Sequence, residues 1–211
     1  MRRNQGMPPV PSIKGSVMAG VAENVAKLLA DGSVTRQELT ERLNASDLAL
    51  LDQEVLASQW YDIQSYDRMN RLLLDVVGGG DVEYYREEGR KTARRLIAGG
   101  LYAQLEYLGR TQVASHDDPQ ARFEAFGRDL RLLNTLSGSI LNFSRWTHRV
   151  DPDHERRYCL EVLDVDSMPD SLCWRSEGLM NGMAEAHGHD DLWYWDRSVR
   201  DRVVYRMCRS V

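Results

Sequence analysis

The sequence predicts an α+β fold in which an N-terminal helical two thirds packs on a C-terminal four-stranded antiparallel sheet. Two observations predict this class. Apolar residues recur every three or four positions over most of the first two thirds, which is typical of amphipathic helices. After Ser137-Gly138-Ser139 the spacing changes to alternation, which is typical of strands with one buried face. The last third is therefore predicted to run strand, strand, helix, strand, strand.

Length and composition predict one continuous core. The chain has 211 residues, of which 42% are hydrophobic and 28% charged, and this is close to the globular average. Residues 1–12 hold three of the six prolines and show no apolar periodicity, so we predict a flexible lead-in that folding can dispense with. A single domain is expected over 13–211, with a helical part at 13–136 and a sheet part at 137–211.

The first two helices follow from apolar spacing and capping. Apolar residues recur at helical spacing from 17 to 29, and Gly32 ends the helix that they describe. Thr35-Arg36-Gln37-Glu38 then predicts a capping box, in which the Thr hydroxyl and the Glu carboxylate each satisfy a free amide at the helix start. A third, short turn over 48–53 is predicted to begin at Ser46 or Asp47.

A fourth helix over 65–77 is predicted to end at Gly78-Gly79-Gly80. Asp81 then caps what we expect to be the longest helix, from Val82 to about Ala98. Gly99-Gly100 is predicted to break or bend that helix before a further helical segment at 101–108.

The predicted long helix carries two notable features. Arg86, Arg90 and Arg94 form a stripe whose simplest interpretation is a solvated face. Gly89 lies in the middle of the helix, where glycine costs about 1 kcal/mol relative to alanine, so we expect another backbone to approach it closely.

A sixth helix is predicted to begin at Asp117 or Asp118, with Pro119 in its first turn. Alternation over 140–150 and 157–165, separated by Asp151-Pro152-Asp153, predicts a hairpin. The sixth helix carries its apolar side at four positions: Phe123, Phe126, Leu130 and Leu133.

A late helix from about Asp170 to Ala186 separates this hairpin from a second one over 192–199 and 202–211. Gly178 and Gly182 lie four positions apart on one face of the late helix. We expect them to let it lie tightly on the sheet.

Several short signatures occur in a fixed order between residues 13 and 211. They are Lys14-Gly15, Trp60-Tyr61, Gly79-Gly80-Asp81 leading into Arg86-Glu87-Glu88-Gly89-Arg90, and Glu177-Gly178 with Gly182. With the order of predicted elements, they resemble a superfamily of vinyl-reductase ligand-binding domains, heme-dependent nitric-oxide-binding proteins and bacterial paralogues without an assigned role. The resemblance is closest to the paralogues. It implies that a small molecule sits between the helices and the sheet.

The sequence departs from the cofactor-binding members of that superfamily. Heme-binding relatives use a proximal His and a Tyr-x-Ser-x-Arg segment, and no such segment occurs in this sequence. Phenol-sensing relatives hold zinc through closely grouped cysteines, whereas Cys173 and Cys208 lie far apart. We therefore expect no cofactor: neither heme nor stoichiometric zinc in the purified protein.

Other candidate chemistries have weak support in the sequence. His187-Gly188-His189-Asp190-Asp191 is the densest group of metal-ligand types, but Gly188 favours a polar helix cap and turn instead. The sequence has no G-x-S-x-G motif, and the glycine triplet lacks the Lys and Ser or Thr of a phosphate loop. We therefore predict neither a catalytic nor a metal site, and an enzyme is the least favoured class.

Aromatic residues are the more informative set. Four of the five tryptophans fall in the last third, where they can line a pocket or pack in the core. We predict a ligand site where the helix from Val82 meets the sheet. Its predicted ligand-binding residues are Tyr61, Tyr84, Trp146, His148, Tyr158 and Trp193.

Two functions follow from this pattern. The first is a non-enzymatic small-molecule-sensing or regulatory domain that binds an apolar or aromatic ligand between helices and sheet. The alternative is a structural or protein-interaction module, acting as a homodimer or with a signalling partner and no ligand. The net charge of −5 argues against nucleic acid as a partner. The longest apolar runs are too short for a membrane span or signal peptide, and the three separate cysteines suit a reducing compartment, so we expect a cytoplasmic protein.

Overall fold

The fold is α+β, as predicted, with the helices in the N-terminal part and a four-stranded antiparallel sheet at the C-terminus. The computed structural model describes residues 10–99 and 118–211. The elements of this part are β1 (Ser12–Lys14), α1 (Gly15–Ala30), α2 (Arg36–Arg42), α3 (Ala45–Leu51), β2 (Trp60–Asp62), α4 (Ile63–Val76), α5 (Glu83–Ala98), α6 (Pro119–Ile140), β3 (Arg145–Val150), β4 (Tyr158–Leu163), α7 (Asp170–Glu185), β5 (Trp193–Val199) and β6 (Arg202–Met207).

The large sheet has the strand order β3-β4-β6-β5, and every neighbouring pair is antiparallel. Both predicted hairpins are present, and β4 and β6 pair in the middle of the sheet. A second sheet, β1 with β2, is antiparallel with Ile13 opposite Tyr61. This small sheet was not predicted, because strands of three residues are too short to show alternation.

The fold begins earlier than predicted. Ser12 was placed in the lead-in, yet it opens β1 and is buried. Its backbone N–H donates to the Asn142 side-chain oxygen at 2.7 Å, and the Asn142 amide donates to the Val10 carbonyl at 3.0 Å. The N-terminal strand is thus hydrogen-bonded to the segment just before the large sheet. Residues 1–9 lie outside the described residues, so their predicted dispensability stays a prediction.

We predict that the two possible truncations differ in stability. A chain beginning at Val10 keeps β1 and both hydrogen bonds of Asn142, whereas a chain beginning at Ile13 loses Ser12 and these bonds. The shorter chain is expected to melt several degrees lower, since about 1 kcal/mol corresponds to a few degrees in a domain of this size. Calorimetry of the two chains checks this, and equal melting temperatures would restore the boundary at residue 12.

The start of α2 agrees with its prediction and the start of α3 does not. Thr35 and Glu38 form the predicted capping box. At α3 the cap is Asn44, where Ser46 or Asp47 had been expected. The Asn44 side chain accepts from the Asp47 N–H, and the Asp47 carboxylate accepts from the Asn44 N–H at 3.1 Å. Asp47 therefore serves as the third residue of a capping box rather than as the cap.

The boundary between α6 and β3 also differs from the prediction. The predicted cap, Asp118, and Pro119 do begin α6, but this helix continues through Ser137-Gly138-Ser139 to Ile140. The strand predicted from 140 therefore starts at Arg145. Small polar residues do not stop a helix whose inner face remains packed, and Ser137 is buried here. As a result α6, and not α5, is the longest helix of the described residues. The helical segment predicted at 101–108 lies outside them.

In the described ranges, α5 and α7 cross with their backbones in direct contact. A Cβ atom built on Gly89 would lie 2.2 Å from the Arg175 carbonyl oxygen, and one built on Gly178 would lie 2.0 Å from the Arg86 carbonyl oxygen. The predicted backbone approach at Gly89 is confirmed. The placement of Gly178 and Gly182 against the sheet is wrong, because both face α5.

Two arginines of the α5 stripe form ion pairs across the same contact between α5 and α7. Arg90 pairs with Glu185 at 3.1 Å and with Asp191 at 2.6 Å, and only 13% of its side chain is exposed. Arg86 pairs with the buried Glu177 at 2.6 Å. The predicted solvated face is therefore correct for Arg94, which is largely exposed, and wrong for the other two.

One hydrophobic cluster runs from the first helix to the last strand of the described residues. It joins Met18 and Val25 of α1 with Leu160 and Tyr205 of the large sheet. The helical part and the sheet thus share buried surface in the described ranges. Among the described helices, none combines the length and apolar character that a membrane crossing requires.

Candidate functional site

Four of the six predicted site residues lie on one face of the large sheet. Trp146, His148 and Tyr158 belong to the β3–β4 hairpin, and the register carries the same face across β6 to Trp193. This face packs against the helices, because its central residues Leu160 and Tyr205 are fully buried.

Tyr61 and Tyr84 are not brought to this face. The Tyr61 hydroxyl accepts from the Leu56 N–H at 2.9 Å, beside the small sheet. Tyr84 lies at the start of α5, next to Gly78, and burial raises the pKa of its hydroxyl. The predicted meeting of α5 with the large sheet is wrong in its geometry, since α5 packs along α7. The two tyrosines therefore lie outside the site built below.

Neighbouring rings fill the space over the β3–β4 hairpin. Tyr158 stacks on Phe123 of α6 at a centroid distance of 4.2 Å, and its hydroxyl donates to the Phe123 carbonyl. Trp146 stacks on Tyr205 at 5.9 Å. The two stacks show that most aromatic side chains of this face are packed as core.

His148 joins the same layer to α6. The Asn134 amide contacts the His148 Nδ1 atom at 2.8 Å, and the imidazole meets the Tyr158 ring edge-on. Burial, together with the charge of Arg131, lowers the pKa of His148 from its ordinary value of 6.5. His148 is therefore a partly buried ring whose charged form is disfavoured, and it links sheet and helix.

We predict that acid destabilises the protein through His148. Unfolded chains take up this proton near pH 6.5, whereas the folded chain does so only at lower pH. The unfolding free energy is therefore expected to fall as pH drops through 6.5 towards the folded pKa. Denaturant titrations at about pH 7.5 and about pH 5.5 should show a smaller decrease in His148→Gln than in wild type. His154→Gln, in the exposed β3–β4 turn, is the control, and an unchanged decrease in His148→Gln would contradict this prediction.

A cleft lies next to the packed rings, between α6, α7 and β5. Its apolar lining comes from the inner faces of two helices and one strand, at helical spacings of three and four. The lining residues are Phe126, Asp129, Leu130, Leu133, Met180, Met183, Ala184 and Trp193. The space between them is about 10 Å³, which suits roughly one water molecule. Trp193 is thus the predicted site residue that borders this cleft.

Asp129 is the charged residue in this lining, and it is 7% exposed. One of its carboxylate oxygens lies 2.7 Å from the His187 Nε2 atom. Because a carboxylate only accepts, the proton of this bond belongs to His187. Asp129 was not among the predicted site residues, although its position between Phe126 and Leu133 on the inner side of a helix was the available signal.

The turn after α7 holds His187 and His189 over the cleft. Gly188 has φ +78°, and the N–H groups of both histidines return to the Ala184 carbonyl. The predicted cap and turn are confirmed here. The two imidazoles flank the Phe126 ring at centroid distances of 5.0 and 5.6 Å.

The described residues arrange no metal-binding cluster, and their two buried cysteines are unsuited to nucleophilic chemistry. Within residues 10–99 and 118–211, no cluster of three or more His, Cys, Asp or Glu side chains is arranged to hold a metal ion. Burial raises the pKa of the Cys173 thiol to about 12 and also raises that of Cys159. Nucleophilic cysteines need the opposite shift, so these thiols are structural.

The comparisons with known proteins support the fold and do not assign a family. A structure from the H-NOX family, solved to probe the function of heme distortion, is similar to this chain with a TM-score of 0.51 and 14% identity. The similarity covers 94% of this chain and 97% of that chain. No protein-family model and no curated protein sequence matches the chain. The resemblance noted in the sequence is therefore confirmed at the level of the fold, which is heme-NO-binding-like.

Proposed function

We propose that this chain is a non-enzymatic small-molecule-sensing domain that takes an apolar or aromatic ligand in the cleft between α6, α7 and β5. The observation that supports this most is the lining, which is hydrocarbon, thioether and ring apart from the single carboxylate of Asp129. Apolar walls with one placed polar group are typical of small-molecule sites. The H-NOX-like fold agrees with a ligand between helices and sheet.

A heme does not fit the described residues. The open space in the cleft is about 10 Å³, so every ligand must displace side chains to enter, and a heme would have to displace far more of them than a ligand with a single ring. The imidazole nearest the cleft, His187, is held to Asp129 at 2.7 Å. We therefore propose a smaller ligand than heme for this site, and the purified protein is expected to show no Soret band at one heme per chain.

Ligand entry requires side chains in the cleft to move. Methionine is unbranched and flexible, so Met180 and Met183 can repack around a guest at low cost. Binding would displace α7, whose backbone touches α5 at Gly89 and Gly178. Because the two backbones are in direct contact at this crossing, a shift of α7 must also shift α5. This coupling is how the proposed domain would report an occupied cleft.

A cavity-forming pair of variants tests the proposal. Met180→Ala enlarges the cleft, and Met69→Ala makes the same truncation in α4, where Met69 is fully buried. Each is expected to lose about 2–5 kcal/mol of stability. In a thermal-shift screen with small aromatic compounds, Met180→Ala should be stabilised by at least one compound that leaves Met69→Ala unchanged. Wild type should respond to the same compound more weakly, because opening its cleft reduces the apparent affinity.

The interaction-module alternative is supported by a different surface. Trp60 of β2 and Leu56 before it are 44% and 43% exposed, and the Lys14 ammonium lies 4.1 Å from the Trp60 ring centre. If neither wild type nor Met180→Ala responds to any compound, this alternative gains support. It then requires concentration-dependent association of the wild type in light scattering, with loss of association in Trp60→Ala.

A further inference from the structure

The buried Asp129 carboxylate in the lining of the cleft indicates which polar group a ligand would carry. Asp129 is held near the middle of α6 with its side chain turned into apolar surroundings. A buried carboxylate is costly unless a donor or a cation compensates it. Any guest that enters beside Asp129 must therefore either keep this compensation or supply it.

The present partner of Asp129 is replaceable. His187 belongs to the turn after α7, and 40% of its side chain is exposed, whereas only 11% of the Asp129 side chain is. The histidine therefore approaches from the solvent side, and the carboxylate stays fixed on the helix. A guest with its own donor can take over the carboxylate oxygen while His187 swings outward.

The Phe126 ring beside the Asp129 carboxylate further limits which polar group the ligand can carry. Phe126 lines the cleft, and the imidazoles of His187 and His189 lie 5.0 and 5.6 Å from its ring centre, one tilted and one edge-on. An aromatic ring next to a carboxylate favours an ammonium group, through cation–π attraction and a charge-assisted hydrogen bond. A carboxylic acid would instead meet the like charge of Asp129.

On this geometry, and resting on the proposed function, we infer that the ligand of the cleft is a small apolar or aromatic amine whose ammonium group binds Asp129 beside Phe126. The class includes arylalkylamines and short alkylamines. Neutral molecules of the same size lack the charge-assisted bond to this carboxylate, and acidic ones meet its like charge.

The experiment compares three probes of one shape: 2-phenylethylamine, 2-phenylethanol and 3-phenylpropionate. Their dissociation constants are measured by ligand-observed NMR with wild type, Asp129→Asn and Glu124→Gln. Glu124 is an exposed carboxylate of the same helix and serves as the charge control. Wild type and Glu124→Gln are expected to bind the amine at least about tenfold more tightly than the alcohol, which is the range of a charged hydrogen bond. Asp129→Asn should lose most of this preference while its alcohol affinity changes little.

A second variant keeps the test decisive if Asp129→Asn does not fold. His187→Ala removes the competing donor and leaves the carboxylate in place, so it should raise the amine affinity severalfold and the alcohol affinity by less. Equal binding of the three probes by wild type, or a preference for the acid, overturns the amine inference and leaves the proposed function standing. If none of the probes binds wild type or Met180→Ala, and the aromatic screen also fails, the proposed function is overturned.

Discussion

Gly178→Ala is expected to lose about 3 kcal/mol or more of unfolding free energy, one of the two largest effects that we predict. The added Cβ would lie 2.0 Å from the Arg86 carbonyl oxygen, and this neighbour is backbone. Neither partner can move by changing a rotamer. The two helices must separate along their crossing, and contacts on both sides of it weaken together.

Two further glycine variants make this result specific. Gly20 of α1 has open space around its Cβ position, so Gly20→Ala is expected to stabilise by about 0.5–1 kcal/mol through helix propensity. Gly89→Ala should resemble Gly178→Ala, and the double variant should cost less than the sum because one separation relieves both clashes. Denaturation midpoints of the four proteins check this. Equal midpoints for Gly20→Ala and Gly178→Ala would contradict the backbone contact.

Local signals in the sequence predicted local structure well. The capping box of Thr35 and Glu38, the two hairpins and the turn at Gly188 each depend on residues close in the chain. Gly89 was predicted correctly because a mid-helix glycine is unfavourable without a tight neighbour.

Partners distant in the chain were harder to predict. Periodicity tells which face of a helix is buried, but not which element covers it, and so Gly178 was assigned to the sheet when α5 covers it. The same limit applies to the site. Tyr61 and Tyr84 were grouped with the sheet aromatics by residue type, although the fold places them elsewhere. Asp129 was overlooked because an acidic residue in a helix usually faces water.

Loss of the Glu177 carboxylate is the second large effect that we predict. Glu177 is buried in α7, where one oxygen accepts from the Arg86 Nε atom at 2.6 Å and the other from the Trp195 backbone N–H at 2.9 Å. This single side chain therefore joins α5, α7 and β5. In addition, the Arg86 guanidinium lies 4.3 Å from the Trp174 ring centre, which fixes its position.

Glu177→Ala leaves the Arg86 Nε atom and the Trp195 N–H without their buried acceptor. Removal of one partner from a buried ion pair typically costs about 3–5 kcal/mol. Glu83→Ala is the control, because Glu83 also pairs with Arg86, at 3.2 Å, and with Arg90, at 2.6 Å, but half of its side chain is exposed. Exposed pairs contribute at most about 1 kcal/mol, so this variant should remain close to wild type.

The double variant Glu177→Met with Arg86→Met separates the cost of an unpaired charge from the value of the pair itself. If the penalty of Glu177→Ala comes from the charge of Arg86 left without its buried acceptor, removal of both charges should recover part of the stability, since apolar replacements of buried pairs are often tolerated. Urea denaturation of Glu177→Ala, Glu83→Ala and the double variant provides the three free energies. A Glu177→Ala variant as stable as Glu83→Ala would show that this carboxylate does not hold α5, α7 and β5 together. The proposed coupling of an α7 shift to an α5 shift would then depend on the contact at Gly89 and Gly178 alone.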